Sequence, residues 1–112
     1  MSKLILFKPQ GIILQLGETE YNLVYDFNAF AELEKEFGSI QQAFDVLASN
    51  ARMADITKIV RAGLISNEKQ ITVEELGSYL TPGNLPEVMG LINEELNVAM
   101  PKVDEKKKST KN

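Results

Sequence analysis

The hydrophobic pattern of this chain changes its period once, near residue 28, and never changes back. Before that point the apolar residues fall into short runs suited to strands. Leu4-Ile5-Leu6-Phe7 ends at Pro9 and Gly11, Ile12 to Leu16 ends at Gly17, and Tyr21 to Phe27 alternates strictly. In that last run Tyr21, Leu23, Tyr25 and Phe27 share one face, while Asn22, Val24 and Asp26 share the other. Alternation in a β-branched and aromatic run is the pattern of a half-buried strand. Only Gly17-Glu18-Thr19-Glu20 separates the second run from the third, so these two are expected to form a hairpin. The first run either adds an edge strand or lies loosely across the end.

Beyond residue 28 the period is helical. Phe30, Leu33 and Phe37 recur at helical spacing, with Glu32, Glu34, Lys35 and Glu36 between them and Gly38 placed as a stop. Ser39-Ile40-Gln41-Gln42 has the form of a capping box and opens a second helix with Ile40, Phe44 and Leu47 inward. A third helix fits Met53 to Leu64, with Ile56, Ile59, Val60 and Leu64 inward and an outer pair of Asp55 with Lys58. Thr72-Val73-Glu74-Glu75 is a second capping box and starts a short helix through Leu76 and Leu80. After Thr81-Pro82-Gly83, Asn84 is expected to cap a closing helix in which Leu85, Val88, Met89, Ile92, Leu96 and Ala99 recur. Pro86 falls in its first turn, where a missing N–H costs nothing, and Pro101 ends it. A hairpin or small meander followed by about five helices is an α+β architecture.

At 112 residues, 44% of them hydrophobic, the chain suffices for one domain and one core. We place that domain at residues 1–101 and expect residues 102–112 to be a flexible Lys-rich tail. The body carries net charge −7 and the tail +3, within a formal total of −4. After Val103 the tail has no large apolar residue with which to order itself. The apolar stretch at the N-terminus is too short for a secretory signal, and no window approaches a membrane span. A soluble, cytoplasmic protein is the expectation, with no membrane partner.

Chemistry is sparsely provided. The chain has no Cys and no His, which removes the thiol nucleophile, the histidine base and the ordinary zinc site. No phosphate loop or dinucleotide fingerprint is present. The carboxylate pairs Glu32/Glu36, Glu74/Glu75 and Glu94/Glu95 fall at positions expected to be polar helix faces rather than a shared cleft. Arg52, Lys58 and Arg61 are a small basic group on an acidic body, a poor footprint for nucleic acid. The aromatic residues Tyr21, Tyr25, Phe27, Phe30, Phe37 and Phe44 all take inward positions and read as core. The apolar stripe of the closing helix serves either as core or in part as a groove for another helix. No catalytic, cofactor-binding or metal-binding residue is assigned.

Two stretches carry a resemblance. One is Asp26-Phe27 followed by Glu32-Leu33-Glu34 and Phe37-Gly38; the other is Arg61-Ala62-Gly63-Leu64 followed by Thr72-Val73-Glu74-Glu75-Leu76-Gly77. In this order and spacing, residues 12–100 resemble the tail assembly chaperones of long-tailed bacteriophages and prophages, especially the type also found in gene transfer agents. The resemblance implies a protein of the bacterial host cytoplasm that is neither an enzyme nor a virion component. Such chaperones bind the long, helical tape measure protein, keep it soluble and help recruit tail tube subunits. Many are made in two lengths by ribosomal frameshifting, and Lys106-Lys107-Lys108 stands where an A-rich slippery run would lie. Self-association is a further expectation. The contact surface expected for the tape measure protein is Ile59 and Leu64 of the third helix with Met89, Ile92 and Leu96 of the closing one. The alternative is a structural head–tail connector or tail-completion protein, which would build stable rings.

Overall fold

The computed structural model describes residues 3–49 and 51–100. Within them a two-stranded antiparallel hairpin precedes five helices, the expected α+β order. Strand β1 (Ile12–Leu16) pairs with β2 (Thr19–Leu23), Ile12 opposite Leu23 and Leu16 opposite Thr19. The turn is only Gly17-Glu18, and Gly17 has φ +65°, the backbone a tight hairpin turn asks for and glycine supplies without a Cβ clash.

One strand alternative is settled and one strand boundary is corrected. Leu4–Phe7 forms no strand and lies exposed, so the hairpin is not extended to a meander. The last strand stops at Leu23 rather than Phe27, because Asp26 caps the following helix and the period changes there. The Asp26 carboxylate accepts from the Ala29 N–H at 3.0 Å and fixes the start of α1 (Phe27–Phe37). Phe27 thereby becomes the first residue of a helix and points to solvent, 90% exposed, instead of joining the core. The other aromatics hold the expected side: Tyr21 and Tyr25 are buried, and Phe30, Phe37 and Phe44 pack half-buried against the core.

The helices follow their capping signals, though the fourth ends at Gly77 rather than running on through Leu80. Gly38, at φ +98°, ends α1 with its N–H donating to the Glu34 carbonyl at 2.8 Å. Ser39 accepts from the Gln42 N–H at 3.0 Å and opens α2 (Ile40–Ser49), as Thr72 accepts from Glu75 at 3.0 Å to open α4 (Val73–Gly77). Helix α3 (Met53–Gly63) is the centre of the molecule, with Ile56, Ile59, Val60 and Ala62 buried. Helix α5 (Leu85–Ala99) carries Pro86 in its first turn as expected, but the Asn84 side chain does not cap it. Asn84 faces backwards instead, accepting from the Thr81 N–H at 2.9 Å and donating to the Tyr79 carbonyl at 3.0 Å, so it ties the preceding turn.

The sheet meets α3 at close quarters. The Val24 N–H donates to the Gly63 carbonyl at 2.9 Å, and the Asn67 side chain bridges both backbone groups of Asn22 at 2.8 and 2.9 Å. A Cβ at position 63 would stand 2.6 Å from Leu23 Cδ1 and 2.8 Å from Tyr25 Cζ, so only glycine allows this approach. Between α1 and α3 the charges interleave: Arg61 pairs with Glu32 at 3.0 Å and Lys58 with Glu36 at 3.9 Å. Lys58 thus reaches across to α1 rather than along its own helix to Asp55. The expected tail, residues 102–112, and its Lys106–Lys108 run lie outside the described residues.

Candidate partner-binding cleft

Of the five contact residues expected from the apolar stripes, Ile59, Leu64 and Ile92 are core. Each is 2% exposed or less. They cannot offer a surface in this conformation, because α3 is covered by α1, α4 and the hairpin while Ile92 closes onto the same core. Leu96 is buried as well, but with half-buried Met89 it lines a shallow cleft of about 320 Å3 beside Phe44 and Leu47 of α2. Only Met89 and Leu96 therefore reach a recess, and the larger one lies elsewhere.

The larger cleft encloses about 550 Å3 at the C-terminal end of α5. Phe27 and Phe30 of α1, Ile40 of α2, Val24 and Tyr25 after the hairpin, Pro9 to Gly11, and Val98 with Met100 form its walls. Its position follows from local sequence. Asp26 starts α1 one residue before Phe27 and so leaves that ring at the rim, while Val98 lies off the buried stripe of α5 and stays exposed. Met100, the C-cap of α5, lines both clefts, so apolar surface continues around the end of the helix.

Two carboxylates line this apolar space, along with the exposed Gln10. Asp26 is fully engaged, one carboxylate oxygen on the Ala29 N–H and the other accepting from the Ser66 hydroxyl at 2.8 Å. Glu95 is different. It is only 7% exposed, and burial, with the neighbouring Glu94 charge adding, holds its carboxyl above the usual carboxylate range. This corrects the expectation that Glu94 and Glu95 both sit on a polar face: only Glu94 does. Nearby, burial pushes the Tyr25 phenol well above its ordinary value, with the Glu95 charge contributing, and its hydroxyl donates to the Ile59 carbonyl at 2.8 Å. The recess is thus open and mostly apolar, with one buried carboxyl on its wall.

Sequence reasoning missed Phe27, Val98 and Met100 as surface. The available signals were Asp26 as an N-cap, which ends the alternation, and Val98 as an apolar residue off the helical stripe. Comparison with known protein families, with curated proteins and with solved structures finds no significant match to the chain.

Proposed function

We propose that this protein is a phage tail assembly chaperone, a non-enzymatic protein of the host cytoplasm that holds the tape measure protein soluble until the tail tube forms around it. The observation that carries the reading is the open apolar cleft at the end of α5, rimmed by exposed Phe27, Val98 and Met100. A long amphipathic helix without its tube exposes an apolar stripe and aggregates. A cleft of this kind covers a few turns of such a stripe, the helix-in-groove mode of recognition. The net negative charge of the body keeps the loaded complex in solution. The motif order across residues 12–100 supports the same reading, and recruitment of tail tube subunits belongs to it.

The reading moves the proposed contact from the core residues Ile59, Leu64 and Ile92 to the cleft. A tagged chain is expressed with its neighbouring genes and whatever it retains is identified by mass spectrometry. The expected outcome is a very long, helix-rich protein that is insoluble alone, retained by the wild-type chain and lost by a Phe27→Asp/Val98→Asp variant that remains folded. Recovery of itself alone overturns the reading. Recovery of head or tail proteins that persist in finished particles overturns it in favour of the connector.

A further inference from the structure

The N-terminal segment is a continuous run of large apolar residues that the fold leaves uncovered. Leu4, Ile5, Leu6 and Phe7 are between 60% (Ile5) and 86% (Phe7) exposed, and the segment makes no backbone hydrogen bond among the described residues. Four consecutive large apolar side chains suit a strand covered on both faces, not one face of a solvated strand. Together they expose about 600 Å2, the size of the largest patch a typical soluble monomer tolerates.

The hairpin offers the matching vacancy. Asn67 and Gly63 occupy the outer edge of β2, whereas β1 makes no backbone hydrogen bond except to β2 among the described residues. Natural edge strands are guarded by Lys, Pro or a bulge, and β1, reading Ile12-Ile13-Leu14-Gln15-Leu16, has none of these residues. Ile13 on it is 61% exposed.

The arm is not placed to fill its own edge. Its root, Pro9 to Gly11, runs along the wall of the large cleft beside Val24 to Phe27, on the β2 side of the hairpin. Pro9 fixes its own φ and favours an extended Lys8, and the arm makes no backbone hydrogen bond to its own β1. We propose that Leu4–Phe7 of one copy adds as a third strand to the β1 edge of a second copy, and that the exchange is reciprocal. Two arms and the surfaces that receive them bury on the order of 2,000 Å2, above the about 1,600 Å2 of a standard stable interface. Charge favours the same pairing. Lys3 and Lys8 bracket the arm, and Glu18 and Glu20 stand exposed at the end of the hairpin that receives it.

Light scattering after size exclusion, over a dilution series, reads the mass, and circular dichroism verifies folding of each variant. The wild-type chain is expected as a dimer, and a chain lacking residues 1–8, or carrying Leu6→Asp with Phe7→Asp, as a folded monomer. Because the chain has no cysteine, single-cysteine variants locate the arm cleanly. Ile5→Cys mixed with Ile13→Cys is expected to give a disulfide-linked heterodimer under mild oxidation, while Ile5→Cys mixed with Gln41→Cys on α2 is not. A wild-type monomer throughout the series overturns the proposal, as does a dimer that survives loss of the arm. Cross-linking of Ile5→Cys to Val98→Cys instead of to Ile13→Cys also overturns it, placing the arm in the cleft.

Discussion

Glu95 is a carboxyl that the fold largely buries, so its proton is coupled to folding. In the unfolded chain it ionises near the ordinary 4.5, whereas in the folded protein burial and Glu94 raise that value. Between the two values the folded state binds more protons than the unfolded state. The contribution of Glu95 is therefore fully present below the ordinary value and is lost as pH rises through the raised one. Glu95→Gln keeps the shape and removes the ionisation. It is expected to melt above the wild type at neutral pH, with the gap closing as the solution is acidified toward the ordinary value. Thermal melts of both proteins across that range decide it, and a gap independent of pH would show that the charge is not the cause. Nothing local marks this residue out, since Glu94 and Glu95 are chemically identical neighbours and only the packing of α5 separates them. The partner of Lys58 was hidden for the same reason: Asp55 on its own helix was the expected one, and the packing of α3 on α1 brings Glu36 instead.

Elements were legible wherever a local hydrogen bond or a periodic stripe defines them. Ser39 and Thr72 each accept from a backbone N–H three residues on, and Gly38 terminates α1 by donating its own, as their local signals indicated, whereas Asp26 caps in the same way but was read as part of a strand. Asn84 misled because a side chain able to cap forwards can also bond backwards, and the turn after Tyr79 takes it. Tertiary approach is what no local pattern contains, and two glycines in helices make the point. Gly63 lies where α3 touches Leu23 and Tyr25, while a Cβ at Gly90 in α5 would meet nothing within 4 Å. Alanine is the better helix former by about 1 kcal/mol, so Gly90→Ala is expected to stabilise by about that much. The same substitution at Gly63 forces Leu23 and the Tyr25 ring to move against a close-packed core, and a net loss of about 1–3 kcal/mol is expected. Urea unfolding of the two variants measures both, and equal signs would mean that the contact at Gly63 relaxes freely.

For the molecule as a whole, the question is which apolar residues hold it together and which are presented outward. Amphipathic period identifies an inward face but not how deep each residue on it lies, because depth depends on what packs against the helix. This is why Ile59, Leu64 and Ile92 look, in sequence, as suitable for a groove as Met89 does. The structure separates them: clefts flank α5, with Met89 and Leu96 at one, Leu85 at another, and Val98, Ala99 and Met100 at the largest of these three, while Ile92 alone among the described apolar residues of α5 is wholly sealed. The separation makes opposite predictions for the same chemical change. Ile92→Asp buries an unpaired carboxylate in the core and is expected to abolish cooperative melting, since the cost of several kcal/mol is a large share of the stability of a domain this small. Met89→Asp with Ile92→Asp should fail in the same way, through Ile92. Phe27→Asp and Val98→Asp place the charge in water, where surface substitutions move stability by about 0.5 kcal/mol or less, and both are expected to melt as the wild type does. Circular dichroism melts of the four proteins decide between core and surface before any partner is added. If Ile92→Asp folds, α5 is not sealed onto the core and the face first read from its stripe is open to a partner after all. If Phe27→Asp or Val98→Asp unfolds, the cleft wall is part of the core and the apolar surface on which the chaperone reading rests is not there.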